Sequence, residues 1–411
     1  MVRELLHRTF ASFKIRNYRI YYIGQVVSIS GSLLQAFAQD WLVLKLTNSG
    51  TMLGVTLAFQ FLPMLIFSYY GGAISDRFSK LKILYYAQIA AGILALVLGI
   101  LVLTNTVQLW MVFALAFLLG LVMTVANPAQ QSFVFEMVGR DQIQNAISLW
   151  TMLIGLARIV GPAVAGILIA TIGLGECFII NAISYIAVLS ALLMIRTNEL
   201  HSPSQPSQGK LMEGLKYIAK TPVIFTTLIM MAIVGTLTFE WQASLPLIAK
   251  FTFNGDAGTY SIISVALSVG MLIGGFITAS TGRVSTKIIS LVAMFFGFFL
   301  LLASTAPDFI LLVSAFVIVG AFAISFGNMT NSIIQINADP QMRGRVMALW
   351  AAAFFGSTAI GGPIIGWVGE AFGPRWTLAV GGIAAVIAGM WGFYRVKKEV
   401  QERHLLIPVK K

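Results

Sequence analysis

Three ionisable side chains occur within stretches of sequence that are otherwise apolar. Asp40 lies in QAFAQDWLVL, Glu240 in LTFEWQASL and Arg158 in LIGLARIVG. A charge at the centre of a membrane helix costs roughly 2.5–3.5 kcal/mol on insertion scales, so such residues usually have a function. A carboxyl group can take up and release a proton, and an arginine can pair with it. We therefore predict that Asp40, Glu240 and Arg158 take part in proton coupling or in a gate.

The composition predicts a polytopic membrane protein with an all-α fold. Of the 411 residues, 58% are hydrophobic and 10% are charged, and the mean hydropathy is +0.87. Since a membrane helix needs about 20 apolar residues, the sequence predicts twelve transmembrane helices. The predicted spans are residues 18–46, 52–74, 83–103, 109–128, 143–172, 177–195, 223–249, 260–281, 288–306, 309–333, 346–369 and 376–394.

The positive charges predict the orientation of the chain. With the amino terminus inside, nearly every Lys and Arg falls in the tails or in the inner loops, as short cytoplasmic loops favour, so both termini are predicted to be cytoplasmic. Because the net charge of +12 is spread over loops that flank the spans, it indicates membrane lipids as partners and no nucleic acid. The exceptions to this distribution are Lys45, Arg158, Lys250 and Arg375.

Few residues are available for other chemistry. Cys177 is the only cysteine, and His7, His201 and His404 fall in predicted cytoplasmic segments, so we expect no metal site, no cofactor and no histidine relay inside the membrane. No Gly-rich phosphate loop occurs, which argues against ATP as the energy source. We therefore expect no enzymatic activity.

The chain repeats itself with an offset of 200 residues. Asp40-Trp41 falls on Glu240-Trp241, and Gly173 falls on Gly373. With six spans in each half, this pattern predicts two pseudo-symmetric six-helix bundles, the parallel repeat found in major facilitator transporters. The predicted domains are an amphipathic cytoplasmic tail at 1–17, bundles at 18–196 and 222–395, a cytoplasmic linker with a short helix at 197–221, and a basic cytoplasmic tail at 396–411.

Two motifs resemble those of the major facilitator superfamily. The segment GGAISDRFSKLK is similar to its loop signature, and GLARIVGPAVAG resembles a Gly-Pro motif of antiporters that GGPIIG echoes in the second half. The whole chain is similar to the drug-proton antiporter branch that includes macrolide-efflux and enterobactin-exporter proteins. The matching residues are Gly72, Asp76, Arg77, Lys80 and Lys82 in the loop, and Gly155, Gly161, Pro162, Gly166, Gly362 and Pro363 in the Gly-Pro segments.

The resemblance implies roles for these motifs. Asp76 would lie near the amino-terminal end of a later helix, where the helix dipole favours an anion, and would help to close an inner gate; the alternative is a basic loop that only fixes orientation. The Gly-Pro segments would allow a bend or would serve close helix packing. One departure is Ala116, which stands where many drug antiporters have an arginine linked to proton coupling.

The acidic residues admit two mechanisms. If the first helices of the two halves close an outer gate, as the resemblance implies, like charge and burial would favour proton uptake by Asp40 and Glu240, and opening would favour release. Protons would then be released outside, which is the wrong side for a proton-driven exporter unless substrate binding or Arg158 resets the proton affinity of the acids. The alternative is a fixed Asp40–Arg158 ion pair with Glu240 near the outer water.

Several amide side chains place polar groups within or close to the predicted spans. They can line a water-filled cavity, or they can hydrogen-bond one another between helices. These residues are Gln35, Asn127, Gln131, Asn328 and Asn331.

The sequence thus predicts a secondary transporter of a bacterial inner membrane. It would export an amphipathic small molecule, such as a drug-like compound, a macrolide or a siderophore, by alternating access in exchange for protons, and act as a monomer. A lipid or lysolipid flippase and a proton-coupled importer of a small metabolite would share this fold. A membrane sensor that transports nothing is disfavoured, because the linker leaves no room for a signalling domain.

Overall fold

The computed structural model describes residues 10–201, 211–281, 284–339 and 342–406. Within these ranges the chain is helical and contains no strand, which confirms the predicted fold class. Clustering of the backbone divides the chain into two compact units. The first unit comprises Met1–Pro206 and Gly255–Ser261, and the second comprises Ser207–Asn254 and Ile262–Lys411.

The first unit contains five long helices preceded by a short 3-10 helix at Ala11–Lys14. The fourth helix is 63 residues long and is divided into two arms at Gly139, whose φ of 69° and ψ of −173° are not helical. The helices are α1 (Arg16–Thr47), α2 (Gly50–Arg77), α3 (Lys80–Leu103), α4 (Leu109–Thr171) and α5 (Leu174–Leu193).

The second unit has shorter helices and two π-helical segments, Ile248–Thr252 and Ala352–Gly356. The helix Ala257–Thr281 begins in the first unit, since Gly255–Ser261 belongs there, and continues in the second. The helices are α6 (Leu211–Lys220), α7 (Pro222–Leu237), α8 (Trp241–Leu247), α9 (Ala257–Thr281), α10 (Thr286–Ser304), α11 (Phe309–Asn337), α12 (Arg343–Ala351), α13 (Thr358–Ala371) and α14 (Pro374–Leu406).

Ten helices in the described ranges are long and apolar enough to span a membrane, against the twelve predicted. The difference has two physical sources. The predicted spans 109–128 and 143–172 are joined into α4 across Gly139. Helix α1, which carries the polar side chains Gln25, Gln35 and Asp40, is not among the ten.

The repeat is expressed in backbone packing. A Cβ on Gly120 would collide with the carbonyl oxygen of Gln60, and a Cβ on Gly320, 200 residues later, would collide with that of Leu267. Gly173 and Gly373 both have positive φ, 122° and 104°, at the turn before the last long helix of each half. Glycine adopts such a conformation without steric cost and lets helix backbones touch. Both halves therefore use glycine at matched positions for the same purpose.

The inner end predicted for the first unit is held together by polar contacts. Asn17 donates to the carbonyl of Arg196 at 3.0 Å and accepts from its N–H at 3.1 Å. The N–H of Ser12 donates to Asn145 Oδ1 at 3.0 Å, and Tyr18 donates to the carbonyl of Ala146 at 2.9 Å. Side chains near the amino terminus thus fix the start of the second arm of α4 and the end of α5.

Neighbouring glycines on α9 provide a direct test of the packing. A Cβ on Gly274 would collide with the backbone of Ala321 on α11, whereas a Cβ on Gly275 would meet nothing within 4 Å. We expect Gly274→Ala to destabilise the protein by about 1–3 kcal/mol through overpacking. Gly275→Ala should leave stability unchanged or raise it by up to about 1 kcal/mol through helix propensity. Thermal unfolding of both variants in the same detergent checks this, and equal melting temperatures would contradict the packing.

Candidate functional site

Asp40 is held by a tyrosine that the sequence argument did not identify. The side chain is buried in the carboxy-terminal half of α1, and the Tyr260 hydroxyl donates to its Oδ2 at 3.2 Å. The Tyr260 ring stacks on Phe37 with centroids 3.9 Å apart and a 10° interplanar angle, and on Trp41 at 6.4 Å and 20°. Tyr260 lies in the first turn of α9, inside the first unit. An aromatic ring clamped between i and i+4 residues thus directs a hydroxyl onto the buried acid.

The same turn of α9 is seated on the predicted Gly-Pro motif. Ser261 Oγ donates to the Pro162 carbonyl at 2.8 Å. A Cβ on Gly166 would lie 2.5 Å from the Ser261 Cβ, so a larger residue there would displace this turn. Gly161 instead packs on Leu33 of α1, where a Cβ would lie 2.8 Å from the Leu33 Cβ. Within the first unit, the motif therefore makes room for neighbouring backbone.

Asp256 fixes the start of α9 and hence the direction of Tyr260. Its Oδ1 accepts from the Thr259 N–H at 3.0 Å and from the Thr259 hydroxyl at 3.2 Å, and its carbonyl accepts from the Tyr260 N–H at 3.1 Å. The hydrogen bond from the Thr259 N–H lowers the pKa of the Asp256 carboxyl group. Because a lowered folded-state pKa stabilises the ionised form, the cap is present at neutral pH and is lost as the pH falls below about 4.

Arg158 lies on the second arm of α4 and is partly buried. Both Arg158 and Asp40 take part in electrostatic or hydrogen-bonding interactions beyond those described above. The predicted pairing of these two side chains stays a prediction. Nearby polar groups are satisfied between helices: Gln39 donates to Gln60 Oε1 at 3.1 Å, and Asn181 donates to Gln35 Oε1 at 2.6 Å.

Glu240 occupies a break between α7 and α8. Helix α7 ends at Leu237, α8 begins at Trp241, and Glu240 has φ −82° and ψ 50°. The Thr238 hydroxyl at this break donates to the carbonyl of Gly381 on α14 at 2.8 Å. Irregular backbone at membrane depth is tolerated where it is buried in protein or lines a water-filled cavity. The matched acids of the two halves thus lie in different local structures, a continuous helix for Asp40 and an interruption for Glu240.

The Glu240 carboxyl group is deeply buried and has little polar compensation. The residue is 2% exposed, and neither Oε1 nor Oε2 has a hydrogen-bond partner in the described ranges. Thr358 on α13 interacts with the carboxyl group, and a Cβ on Gly361 would lie 2.6 Å from Oε1 and would also collide with the Thr236 carbonyl. Gly361, which directly precedes the predicted motif residues Gly362 and Pro363, therefore leaves the space that the acid occupies against α13.

An aromatic cluster surrounds the break. Phe239 and Trp241, which flank Glu240, lie 5.7 Å and 6.1 Å from Phe296 between ring centroids. Phe239 also contacts Phe354 at 5.4 Å, within the π-helical segment Ala352–Gly356. This π-helix faces α7, because a Cβ on Gly235 would collide with the Ala353 carbonyl. π-Helical segments occur frequently at functional sites, and here one packs beside the interrupted helix.

The loop motif contains one buried residue with a partner that the sequence argument missed. Lys80 Nζ lies 3.9 Å from Glu136 Oε1, and both side chains are 10% exposed. The Glu136 carbonyl accepts the His201 N–H at 2.7 Å. Asp76, Arg77 and Lys82 are exposed. Lys80 therefore ties the start of α3 to the end of the first arm of α4.

The remaining predicted positions are less constrained. A Cβ on Gly72 would meet nothing within 4 Å, whereas one on its neighbour Gly71 would collide with the Thr124 carbonyl. Asn331 accepts a hydrogen bond from Gln335 on the same helix at 2.5 Å. Gln131 and Asn328 are exposed, and Asn127, Gly155 and Pro363 are partly buried.

Two repeated helical units, a buried acid at the matched position of each half and glycine-mediated helix contacts are features of a transporter of the major facilitator superfamily. A family model described as transmembrane secretion effector matches residues 7–410, and the chain belongs to this family. Macrolide efflux protein A of Streptococcus pyogenes is 24% identical over 83% of this chain and 86% of its own length. The enterobactin exporter EntS of Shigella flexneri is 22% identical over 91% of this chain and 90% of its own length.

Solved structures agree on the fold. A bacterial homologue of the human lysosomal transporter Spinster, inward-facing and unoccupied, has a TM-score of 0.74 at 12% identity, covering 94% of this chain and 97% of that one. The predicted superfamily is thereby confirmed, and so is its likeness to macrolide-efflux and enterobactin-exporter proteins. The chain is a plasma-membrane transporter and no enzyme.

The Lys80–Glu136 contact yields a prediction about stability. Removing one partner leaves the other charge buried alone, so Lys80→Met should cost about 3 kcal/mol. The double variant Lys80→Met/Glu136→Met should recover most of this loss, because no unpaired charge remains. Thermal unfolding of the single and double variants measures the coupling, and additive losses would show that the two side chains do not depend on each other.

Proposed function

We propose that this chain is a secondary exporter that moves an amphipathic small molecule outward in exchange for protons, with Glu240 as the proton-exchanging group. The observation that carries the proposal is the buried Glu240 carboxyl group, which has no hydrogen-bond partner in the described ranges and lies at the break between α7 and α8. The family assignment and two relatives named for efflux and export support the direction of transport.

The chemistry follows from the cost of burying charge. An ionised carboxylate in an apolar site without a partner is far less stable than the neutral acid. Movement at the break that admits water to Glu240 favours the ionised form, and renewed burial favours the protonated form. Protonation of Glu240 and closure of the α7–α8 segment against α13 are therefore thermodynamically coupled, so that each favours the other.

Asp40 has a complementary role in the first unit. The Tyr260 hydroxyl stabilises its carboxylate at 3.2 Å, whereas the Glu240 oxygens have Thr358 as a polar neighbour but no hydrogen bond of ordinary geometry in the described ranges. Since Tyr260 in the first turn of α9 contacts Asp40 and α9 continues into the second unit, a change in the charge of Asp40 acts directly on this turn. We assign Asp40 and Tyr260 to a gate and Glu240 to proton exchange, with Arg158 as the cation available to reset them.

Transport in proteoliposomes tests this assignment. Erythromycin and enterobactin serve as the first probes, because relatives are named for a macrolide and for enterobactin. Whichever probe raises the melting temperature of the purified protein is used for transport. For the wild type we expect outward movement of that probe when an imposed gradient drives protons inward, accompanied by inward proton flux.

Glu240→Gln should abolish proton flux, since glutamine cannot exchange a proton, and Asp40→Asn should reduce the rate at least tenfold. Asp308→Asn is the matched control. Asp308 is exposed, caps α11 and has no assigned role in proton exchange. Asparagine preserves such a cap. Unchanged flux in both Asp40→Asn and Glu240→Gln would remove the acids from the mechanism, while inward transport would identify an importer.

Tyr260→Phe separates the hydroxyl from the ring. The stacking on Phe37 and Trp41 is kept, and only the donor to Asp40 is lost. Because that bond holds the buried acid against the first turn of α9, its removal should lower the transport rate several-fold, with stability lowered by about 1–3 kcal/mol. A transport rate equal to that of the wild type would contradict a role for the Tyr260 hydroxyl in holding Asp40.

A further inference from the structure

A cavity lies within the second unit, and neither Asp40 nor Glu240 lines it. It has a volume of about 310 Å³ and is formed where the end of α9 and the start of α10 meet α11. Apolar side chains make up most of its wall: Ile277 from α9, Ile288 and Val292 from α10, and Phe322 and Met329 from α11. The volume is at the lower end of the range of ligand sites, about 300–1,000 Å³.

The few hydroxyls in the wall are already satisfied. Thr278 donates to the Gly274 carbonyl at 2.7 Å, and Ser325 donates to the Ala321 carbonyl at 2.8 Å. Thr281 donates to the Ile277 carbonyl at 3.1 Å. With these donors used inside their own helices, the wall selects for an apolar occupant, because a polar molecule would lose its water hydrogen bonds on entry.

The cavity is continuous with the apolar face that the second unit presents outward. Ile277 in its wall is 55% exposed, and Ile273 and Phe276 on the same helix are 45% and 70% exposed. Phe295 on α10 is 51% exposed and stacks on Phe322 with centroids 5.9 Å apart. In a membrane-spanning bundle such a surface faces lipid tails, so the cavity opens toward the bilayer.

A cation directly precedes the cavity-lining residue Ile288 in the first turn of α10. Helix α9 ends at Thr281 and α10 begins at Thr286, so the cavity lies in the last and first turns of the two helices. Lys287, directly before Ile288, is exposed, and its Nζ lies 6.0 Å from the Phe393 ring centroid. A lysine at the membrane surface attracts anionic lipid headgroups by about 1 kcal/mol.

We propose that this cavity is a binding site for one acyl chain of an anionic phospholipid, whose phosphate pairs with Lys287. The site is independent of the proposed transport cycle, since it contains neither acid and lies in the second unit alone. An acyl chain gains little free energy per methylene when it moves from the surrounding lipid into the cavity. Shape-matched packing and the nearby cation together distinguish this lipid from the surrounding ones. We name the residues Ile277, Ile288, Val292, Phe322 and Met329 the lipid groove.

Native mass spectrometry of the delipidated, full-length protein tests the proposal. Dioleoyl phosphatidylglycerol and dioleoyl phosphatidylcholine are added in turn, and the affinity of the first adduct is measured. The wild type should bind the first phosphatidylglycerol several-fold more tightly than later ones and more tightly than phosphatidylcholine. Ile277→Trp, which fills the lipid groove, should weaken this first adduct roughly tenfold, equivalent to 1.4 kcal/mol.

Ile273→Trp is the matched control, because Ile273 is a similarly exposed isoleucine one turn away and outside the cavity wall. It should leave the first adduct intact. Lys287→Gln should remove the preference for phosphatidylglycerol over phosphatidylcholine while retaining chain binding, and glycerol phosphate without acyl chains should not compete. Equal loss in Ile277→Trp and Ile273→Trp, or no loss in either, would show ordinary boundary lipid and overturn the proposal.

Discussion

The structure depends on one constraint, the cost of placing a carboxyl group inside an apolar helical bundle. At Glu240 this cost is met by an interruption of the helix, by Gly361 on α13, which leaves space for the carboxyl oxygen, and by an aromatic surround that excludes water. The oxygens nevertheless lack hydrogen-bond partners in the described ranges. A group held in this way is stable in its neutral form and responds strongly to hydration, and those properties are required of a group that exchanges a proton during a conformational change.

The two halves share a scaffold but differ in their chemistry. Glycines at positions 120 and 320 bring neighbouring backbones into contact in the same way, and Gly173 and Gly373 turn the chain with the same backbone conformation. The acids at matched positions diverge, because Asp40 stays in a continuous helix and receives a hydroxyl. Common packing preserves the geometry of each bundle, and in the proposed function this asymmetry lets one acid exchange a proton while the other holds a neighbouring turn.

Much of the fold could be predicted from the sequence, because hydrophobic runs of about 20 residues and the 200-residue repeat are local or periodic signals. The break at Glu240 could not, since a rise of 1.5 Å per residue presumes an unbroken helix and Leu237 is followed by no Pro or Gly. Tyr260 and Glu136 were missed for a different reason. Their partners, Asp40 and Lys80, are distant in sequence, and an aromatic or acidic residue at a helix end is ordinary. Twelve spans were predicted and ten are found in the described ranges, because Gly139 turns the chain without ending the helical hydrogen bonding around it and because α1 carries polar side chains.

Infrared difference spectroscopy of the full-length protein in lipid tests the central claim most directly, recorded with and without whichever of erythromycin and enterobactin raises the melting temperature. The carbonyl stretch of a protonated carboxylic acid is observed separately from that of a carboxylate. If Glu240 exchanges its proton when ligand binds, the wild type shows a ligand-dependent change in this band, Asp308→Asn retains it and Glu240→Gln loses it. An unchanged difference band in Glu240→Gln, with ligand binding intact, would contradict the account.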